Sequence, residues 1–429
     1  MNISIAKAEV KTQQKLVVAM DVGKEKLTSY SPFVRDGMSL MLSDEIENRS
    51  NAIRGAFLDY RKLADMEGFS GVHVLCEPTG GYEKNLLRIA RELGFSMAYV
   101  NGESVAKLHV VRQNDTGKTD ELDPRIIHLA GMQGRQLAVR ALPEAYEQLR
   151  TLNQIYEQED KACVMAKNCL NHTLLELFPD LRLTPSQLFS ATGSALIQEF
   201  GAHPGRIMEA GWPKFVCRMK KHVPKIKTKT LQQLSDDALV SNLHAGGPEV
   251  KDLLAGRVCE LYSDWKRHQT RKETLKKQMT ALYQPLPEYQ RLKAISGVPD
   301  FLMARLIGET GPLDDYHSAR RLLRMGGLNL RERKSGKYKG QNRISKKGRS
   351  LLRRVLFQIT VLFLLKPGGL YHNYYITRRL SDKAGGTVGL KLTVAVMRHF
   401  LVAMHGIYRS TLPFSAERLF TSSAEYKAA

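Results

Sequence analysis

Cysteine is scarce in this chain: five in 429 residues, odd in number and without a C-x-x-C spacing. That pattern excludes a zinc ribbon and a disulfide framework, and it fits a reducing cytoplasm. Long apolar runs are missing too. The longest, residues 355–365, is interrupted by Gln358 and Thr360, well short of the roughly 20 apolar residues a membrane span needs. Residues 1–15 are mixed and polar, without the apolar stretch of a secretory leader. There is no G-x-x-x-x-G-K-[ST] cradle and no H-E-x-x-H pair, so neither ATP-driven chemistry nor a zinc peptidase is expected. Above all the chain is short of acids. Its 43 Asp and Glu face 65 Lys and Arg, for a net charge of +22. An excess of that size disfavours an enzyme of small neutral metabolites and points to a polyanionic partner.

What is present is unevenly spread. Residues 1–140 carry 19 basic and 18 acidic side chains, so nearly the whole excess lies downstream. Residues 331–354 hold eleven cations against the single acid Glu332. A chain of this length exceeds one compact core, and such asymmetry is expected when one domain does chemistry and another grips a backbone. Cytoplasmic residence, with nucleoid association when bound, and no membrane partner follow as expectations.

The first third alternates strands and helices. Apolar runs at 16–21, 72–77 and 95–100 read as strands, 26–31 as a returning strand, and 82–93 as an amphipathic helix. A further helix begins around 120–124. This is the pattern of an α/β domain with a partly parallel sheet. Downstream, Leu149, Tyr156, Cys163, Leu170 and Leu177 recur every seven residues, as do Leu254, Leu261, Leu275 and Leu282. Heptads of that length predict two long helices packed as a coiled coil. Glu159, Thr173, His268 and Lys272 interrupt the seams. Between the helices, residues 180–246 read as a small helical insertion with a second basic run, Arg218 to Lys229. From residue 287 the chain is again compact and mostly helical.

Four acids stand out in the first third. Asp21 and Glu77 end predicted strands, and Asp120 and Asp123 lie three apart where a helix begins. Carboxylates brought to one sheet edge and one helix face converge. A cluster of them repels itself unless cations bind, and hard oxygen ligands select Mg²⁺ or Mn²⁺. Each also has an ordinary structural reading: Asp21 as a turn after a strand, Glu77 as a loop start, Asp123-Pro124 as an N-cap followed by a first-turn proline.

The motifs MDVGKEKL (20–27), CEPTGGY (76–82) and KTDELD (118–123) together resemble the N-terminal domain of the DEDD transposases of the insertion-sequence 110 and 1111 family. The resemblance implies a RuvC-like domain of the RNase H type, with Asp21, Glu77, Asp120 and Asp123 as its metal-binding set. Pro124 departs from the small residue usual there.

The basic stretch interleaves cations with Gly336, Gly340 and Gly348, which predicts a flexible, phosphate-tracking loop. Arg331, Arg333, Lys334, Lys337, Lys339, Arg343, Lys346, Lys347 and Arg349 are its candidate nucleic-acid contacts. Nothing local marks Ser335 as reactive, since no histidine lies nearby. GGLNLRERKSG (326–336) with ISKKG (344–348) is similar to the same family's C-terminal transposase domain. There the matching serine attacks a DNA phosphate and holds the strand as a phosphoserine. The resemblance gives that role to Ser335, ahead of Ser345 and Ser350. Pro299 stands near the second glycine of the family's hairpin turn and removes an amide donor.

The architecture expected is therefore α/β plus all-α. A RuvC-like domain would occupy 12–140, coiled-coil helices 141–286 with the insertion at 180–246, and a mostly helical transposase domain 287–412, ahead of a tail at 413–429. The resemblance implies donor and target DNA, a structured non-coding guide RNA whose base pairing reads sequence, and a homo-oligomer, dimer or tetramer. Two rivals stay open: a metal-dependent RNase H-like nuclease or junction resolvase in which Ser335 is inert, and a non-enzymatic nucleic-acid chaperone.

Overall fold

The computed structural model describes residues 14–35, 38–112, 123–244, 247–293, 295, 297–331, 334–335, 338–339, 343–381 and 388–410. Two compact units divide the chain, Met1–Ala141 and Leu142–Ala429.

The first unit is built on one mixed sheet. Its strands are β1 (Leu16–Val22), β2 (Lys26–Arg35), β3 (Met38–Leu42), β4 (Glu45–Glu47), β5 (Val72–Cys76), β6 (Ser96–Val100) and β7 (Gln136–Ala138). They lie in the order β3-β2-β1-β5-β6-β7, with β4 also paired to β2. β1, β5 and β6 are parallel, while β2, β3, β4 and β7 are antiparallel to their neighbours. Side chains alternate across each strand. Val18, Met20, Val74 and Cys76 join a core under helices α1 (Ser50–Met66) and α2 (Glu83–Glu92). Ile53, Phe57, Tyr60 and Ala64 of α1 are buried at helical spacing against that face. Ala19, Leu75, Ala98 and Val100 point the other way, toward α3 (Gly102–Arg112) and α4 (Asp123–Met132), where Val105, Ile126, Ile127 and Ala130 cover them. α4 lies close on the sheet because Gly131 has no side chain: a Cβ there would stand 2.3 Å from Leu75 Cδ1.

In the second unit two long helices, α5 (Glu144–Leu177) and α10 (Pro248–Tyr283), run antiparallel. Of the polar residues that interrupt their heptads, Glu159, His268 and Lys272 are used across the pair, while Thr173 Oγ1 donates to Cys169 O of its own helix. His268 Nδ1 meets Glu159 at 2.6 Å, and Lys272 Nζ donates to Asp160 at 2.6 Å. α6 (Pro185–Leu188), α7 (Ala191–Phe200), α8 (Pro204–His222) and α9 (Thr228–His244) connect them. These short helices share a core of their own with Leu170, Leu174, Val258 and Leu261. At the opposite end of the pair, a larger core joins Leu149 and Met279 to the C-terminal helices. Those are α11 (Pro287–Leu292), α12 (Asp300–Thr310), α13 (Ala319–Met325), α14 (Ser350–Ile359), α15 (His372–Ser381) and α16 (Val388–Arg409).

Three differences from the sequence reading are instructive. The basic segment pairs into two short antiparallel ladders, where a loop was expected: β8 (Leu330–Arg331) with β11 (Arg343–Ile344), and β9 (Lys334–Ser335) with β10 (Tyr338–Lys339). The apolar run after residue 350 is helical only to Ile359, then widens into π-helical turns over Thr360–Leu364. Finally, Gly389–Arg409 is long and apolar enough to cross a membrane, with mean hydropathy 1.3, although no unbroken apolar run signals it. One such helix is weak evidence of a span. Val396, Phe400, Leu401, Met404 and Tyr408 are buried in the larger core, and 39% of the apolar window is buried in all.

Candidate functional site

The strand pattern of the first unit brings acids together. Met20 and Cys76 are register partners in the parallel pair β1–β5, so Asp21 and Glu77 follow one step beyond on neighbouring chains, about 4.8 Å apart in the sheet. Alternation puts both on the face of Ala19 and Leu75, the face that α4 covers. Asp123 opens α4 at the same end. Asp21, Glu77 and Asp123 accordingly line one cleft of about 160 Å³, with Gly102, Val105, Ala106 and Ile127. Gly102 borders Glu77, and a Cβ there would meet Oε2 in ordinary contact at 3.5 Å. Asp120 lies outside the described residues. Among the described residues no three His, Cys, Asp or Glu side chains stand close enough to hold an ion. As chemistry, the donor set fits a hard divalent cation: three carboxylates and no sulfur or imidazole line the cleft. Pro124 sits within the first turn of α4, where a missing N–H costs no helix bond, and does not displace Asp123 from the cleft.

A fourth acid, which motif reading passed over, holds the adjoining loop. Glu83 Oε2 accepts from Thr79 Oγ1 at 2.9 Å and from the Gly81 amide at 2.8 Å. Burial alone would raise its pKa, but these hydrogen bonds outweigh burial and hold it below the usual carboxylate range. The signal was present as T-G-G-Y-E, an acid placed to satisfy the amides of a turn entering a helix. Behind the cleft, burial, with Glu83 and Glu77 nearby, pushes the Cys76 thiol up to about 12. Cys217 is exposed. In a thiol titration with Ellman's reagent, Cys217 is expected to react at once and Cys76 only on unfolding. Prompt modification of Cys76 would mean that β5 opens in the native protein.

In the second unit the basic hairpin is anchored at its feet. Ser345 N donates to Asn329 O at 2.8 Å, Ser345 Oγ to Asn329 Oδ1 at 2.7 Å, and Lys346 N to Gly327 O at 2.9 Å. Arg349 N closes on Met325 O at 2.8 Å, and Arg353 donates to the Gly326 and Gly348 carbonyls at 3.0 and 3.1 Å. Gly348 has φ +158°, and a Cβ on it would lie 2.5 Å from Gly327 N; only glycine permits that crossing. Ser345 thus has a structural partner. Ser335 ends β9, paired with Tyr338 across a two-residue connection; its side chain lies outside the described ones.

Of the candidate phosphate contacts, Arg331, Arg343, Lys346 and Lys347 are exposed. Arg333 and Lys337 lie outside the described residues, as do the side chains of Lys334 and Lys339. Arg349 turns inward, its Nε 2.7 Å from fully buried Glu309. That contact leads into a network the sequence reading missed. Asn153 Nδ2 donates to Glu309 Oε1 at 2.9 Å, and buried Arg305 donates to Asn153 at 2.6 Å, to Gln358 at 2.8 Å and to Glu157. Arg354 joins Glu157 at 2.9 Å and Asp160 at 3.2 Å. Burial draws the Arg305 guanidinium down from its usual range, against the opposing pull of Glu157. A lone arginine in the apolar run DFLMARLIG was the available signal, because a buried charge requires a partner.

An acid-lined cleft at the edge of an α/β sheet, in a chain that also carries a basic hairpin on a helical scaffold, defines a class: enzymes that act on nucleic acid. A family profile described as a DEDD transposase of the IS110 type matches residues 18–179, and one described as "Transposase IS116/IS110/IS902 family" matches residues 289–375. The two matches together cover more than half of the chain, which belongs to the IS110 family of DEDD transposases. It is a DNA transposase of an insertion sequence, and membership implies use of a divalent metal. No curated protein matches the chain. Among solved structures, one of the Aquifex aeolicus PPX-GPPA enzyme aligns at 13% identity over 58% of this chain and 91% of that one, with a TM-score of 0.18. A second, of the Aquifex aeolicus Ppx/GppA family member, aligns at 13% identity over 61% and 98%, also at 0.18. Scores that low carry nothing for fold or function.

Proposed function

We propose that the protein cuts and rejoins DNA strands through Ser335, with a RuvC-like acidic domain in support and a structured RNA of the element as guide. The observation that carries this reading is the pair of transposase matches, one spanning Asp21, Glu77, Asp120 and Asp123, the other spanning Ser335. Asp21, Glu77 and Asp123, joined by Asp120, would hold Mg²⁺ or Mn²⁺. When bound, the metal supplies positive charge to a scissile phosphate. The hairpin cations neutralise the phosphodiester that the Ser335 hydroxyl approaches. Attack forms an Oγ–P bond and breaks the P–O bond to the leaving strand, which departs as a hydroxyl after taking up a proton. Re-attack by a second strand's hydroxyl releases the serine and conserves the ester. A homo-oligomer, dimer or tetramer, would hold the two DNAs; the heptad seams of α5 and α10 face each other within one chain, so it would form through other surfaces.

The decisive experiment replaces the acids singly. Asp21→Asn and Asp123→Asn are each expected to lower strand exchange at least a hundredfold while leaving DNA affinity within a few-fold. Titrating Mg²⁺ or Mn²⁺ into each variant should fail to restore the rate. Exchange that survives in both variants would remove the metal site from the mechanism. Cleavage that needs the acids but leaves no protein–DNA adduct would favour a metal-dependent nuclease.

A further inference from the structure

The helical segment between α5 and α10 carries charge that the reading above leaves unused. Arg218, Lys220, Lys221, Lys225, Lys227 and Lys229 follow one another without an intervening acid, and all six are exposed. Among the described residues none of them forms an ion pair; Arg218 rests over the Phe200 ring at 5.8 Å. Internal structure explains only part of the run. Lys220 and Lys221 occupy the last turn of α8, where cations offset the helix dipole. Lys225, Lys227 and Lys229 come after it, and the last two flank the start of α9 at Thr228. That end of a helix is its positive end, so cations there are repelled. The arrangement is costly to the folded chain alone and is relieved by an anion.

A second cationic feature borders the same helix. On α7, Glu199 meets His222 of α8 at 2.6 Å, while Ile197 and Gln198 line a groove of about 670 Å³ against α10. Lys266, Arg267 and Arg271 line the other wall; Arg267 also meets Asp264 at 3.1 Å, and the Thr270 and Thr274 hydroxyls donate to the Lys266 and Thr270 carbonyls of their own helix. Cations spaced along a helix suit phosphate oxygens and carry no base readout.

We propose that this helical subdomain grips the backbone of duplex DNA that flanks the processed site. Its partner follows from charge complementarity and from the DNA substrate of the family; it does not depend on the serine chemistry. Position supports a flanking role. Arg354, at the foot of the basic hairpin, meets α5 at Asp160, and α5 ends at Leu177. At 1.5 Å rise per residue the helices α6 to α9, with the lysine run, therefore start about 25 Å along α5 from that contact, and the α10 wall of the groove reaches back toward it, Lys272 meeting Asp160. In B-DNA, at 3.4 Å per base pair, that length along α5 is roughly seven base pairs.

The test compares the full-length protein with K220Q/K221Q/K225Q/K227Q, binding fluorescein-labelled DNA duplexes of about 12 and about 40 base pairs over a salt series, with an RNA duplex of the longer size as a second arm. For the wild type, the salt dependence of log K should be steeper on the long DNA. The variant should lose that increment, flattening the slope by about 3, and bind the long DNA at least tenfold more weakly at ~0.1 M salt. The matching Lys→Arg variant should bind as wild type, which separates charge from folding. Unchanged slope and affinity on the long DNA would overturn the proposal. So would a loss confined to the RNA duplex, which would assign the surface to RNA. A wild-type protein that bound neither duplex would undo the DNA reading itself.

Discussion

Replacing Ser335 with alanine is expected to abolish strand exchange, with a loss on the order of a thousandfold or more, as when a covalent nucleophile is removed. DNA affinity should hardly change, because the cations around residue 335 remain. The readout is the protein–DNA adduct on a denaturing gel, which should vanish for Ser335→Ala and persist for Ser345→Ala. The second variant matters because Ser345 is bonded to Asn329 and anchors a hairpin foot. It should lose stability, with the adduct retained. An adduct of normal yield in Ser335→Ala would end the serine mechanism, and its disappearance only in Ser345→Ala would move the nucleophile.

The second large effect belongs to Arg305. This side chain is 1% exposed and bonds three residues from two other helices: Asn153 and Glu157 of α5 and Gln358 of α14. Losing Arg305 leaves Glu157 with Arg354 as its other cation and takes a donor from Asn153 and Gln358, so the cost should approach from below the about 3–5 kcal/mol of a broken buried pair. Arg305→Leu should therefore shift the urea midpoint of the second unit sharply downward. Because buried pairs can be replaced by apolar groups at little net cost, the double variant R305L/E157L should recover part of the loss. A midpoint within the scatter of wild type would mean that water reaches this network. A double variant no better than the single one would place the cost in lost packing.

The acidic cleft was legible because its signals are local. Asp21 and Glu77 end runs of β-branched and apolar residues, and Asp123-Pro124 has the composition of a helix start. The step from there to one cleft needed the register of two parallel strands, which no single strand contains. The basic hairpin was illegible for the opposite reason. Its strands are two residues long and cationic, without alternating apolar residues, so no period marks them. What holds their ends is backbone bonding at Met325, Gly327 and Asn329. Arg305 and Glu309 escaped because their partners lie some 150 positions away in α5. Glu159, His268 and Lys272, which read as flaws in a heptad, are cross-helix partners once the two helices are antiparallel.

The hairpin feet have one more consequence. The bonds that hold them run among residues 325–329 and 345–353, outside the stretch they enclose. The enclosed residues 330–344 are thus a cassette on a fixed socket. Among its described residues Ile344 packs on the larger core, while Arg331 and Arg343 are exposed, so the charge of the ribbon, and with it the strength of its grip on a DNA backbone, can drift while the core stays as it is.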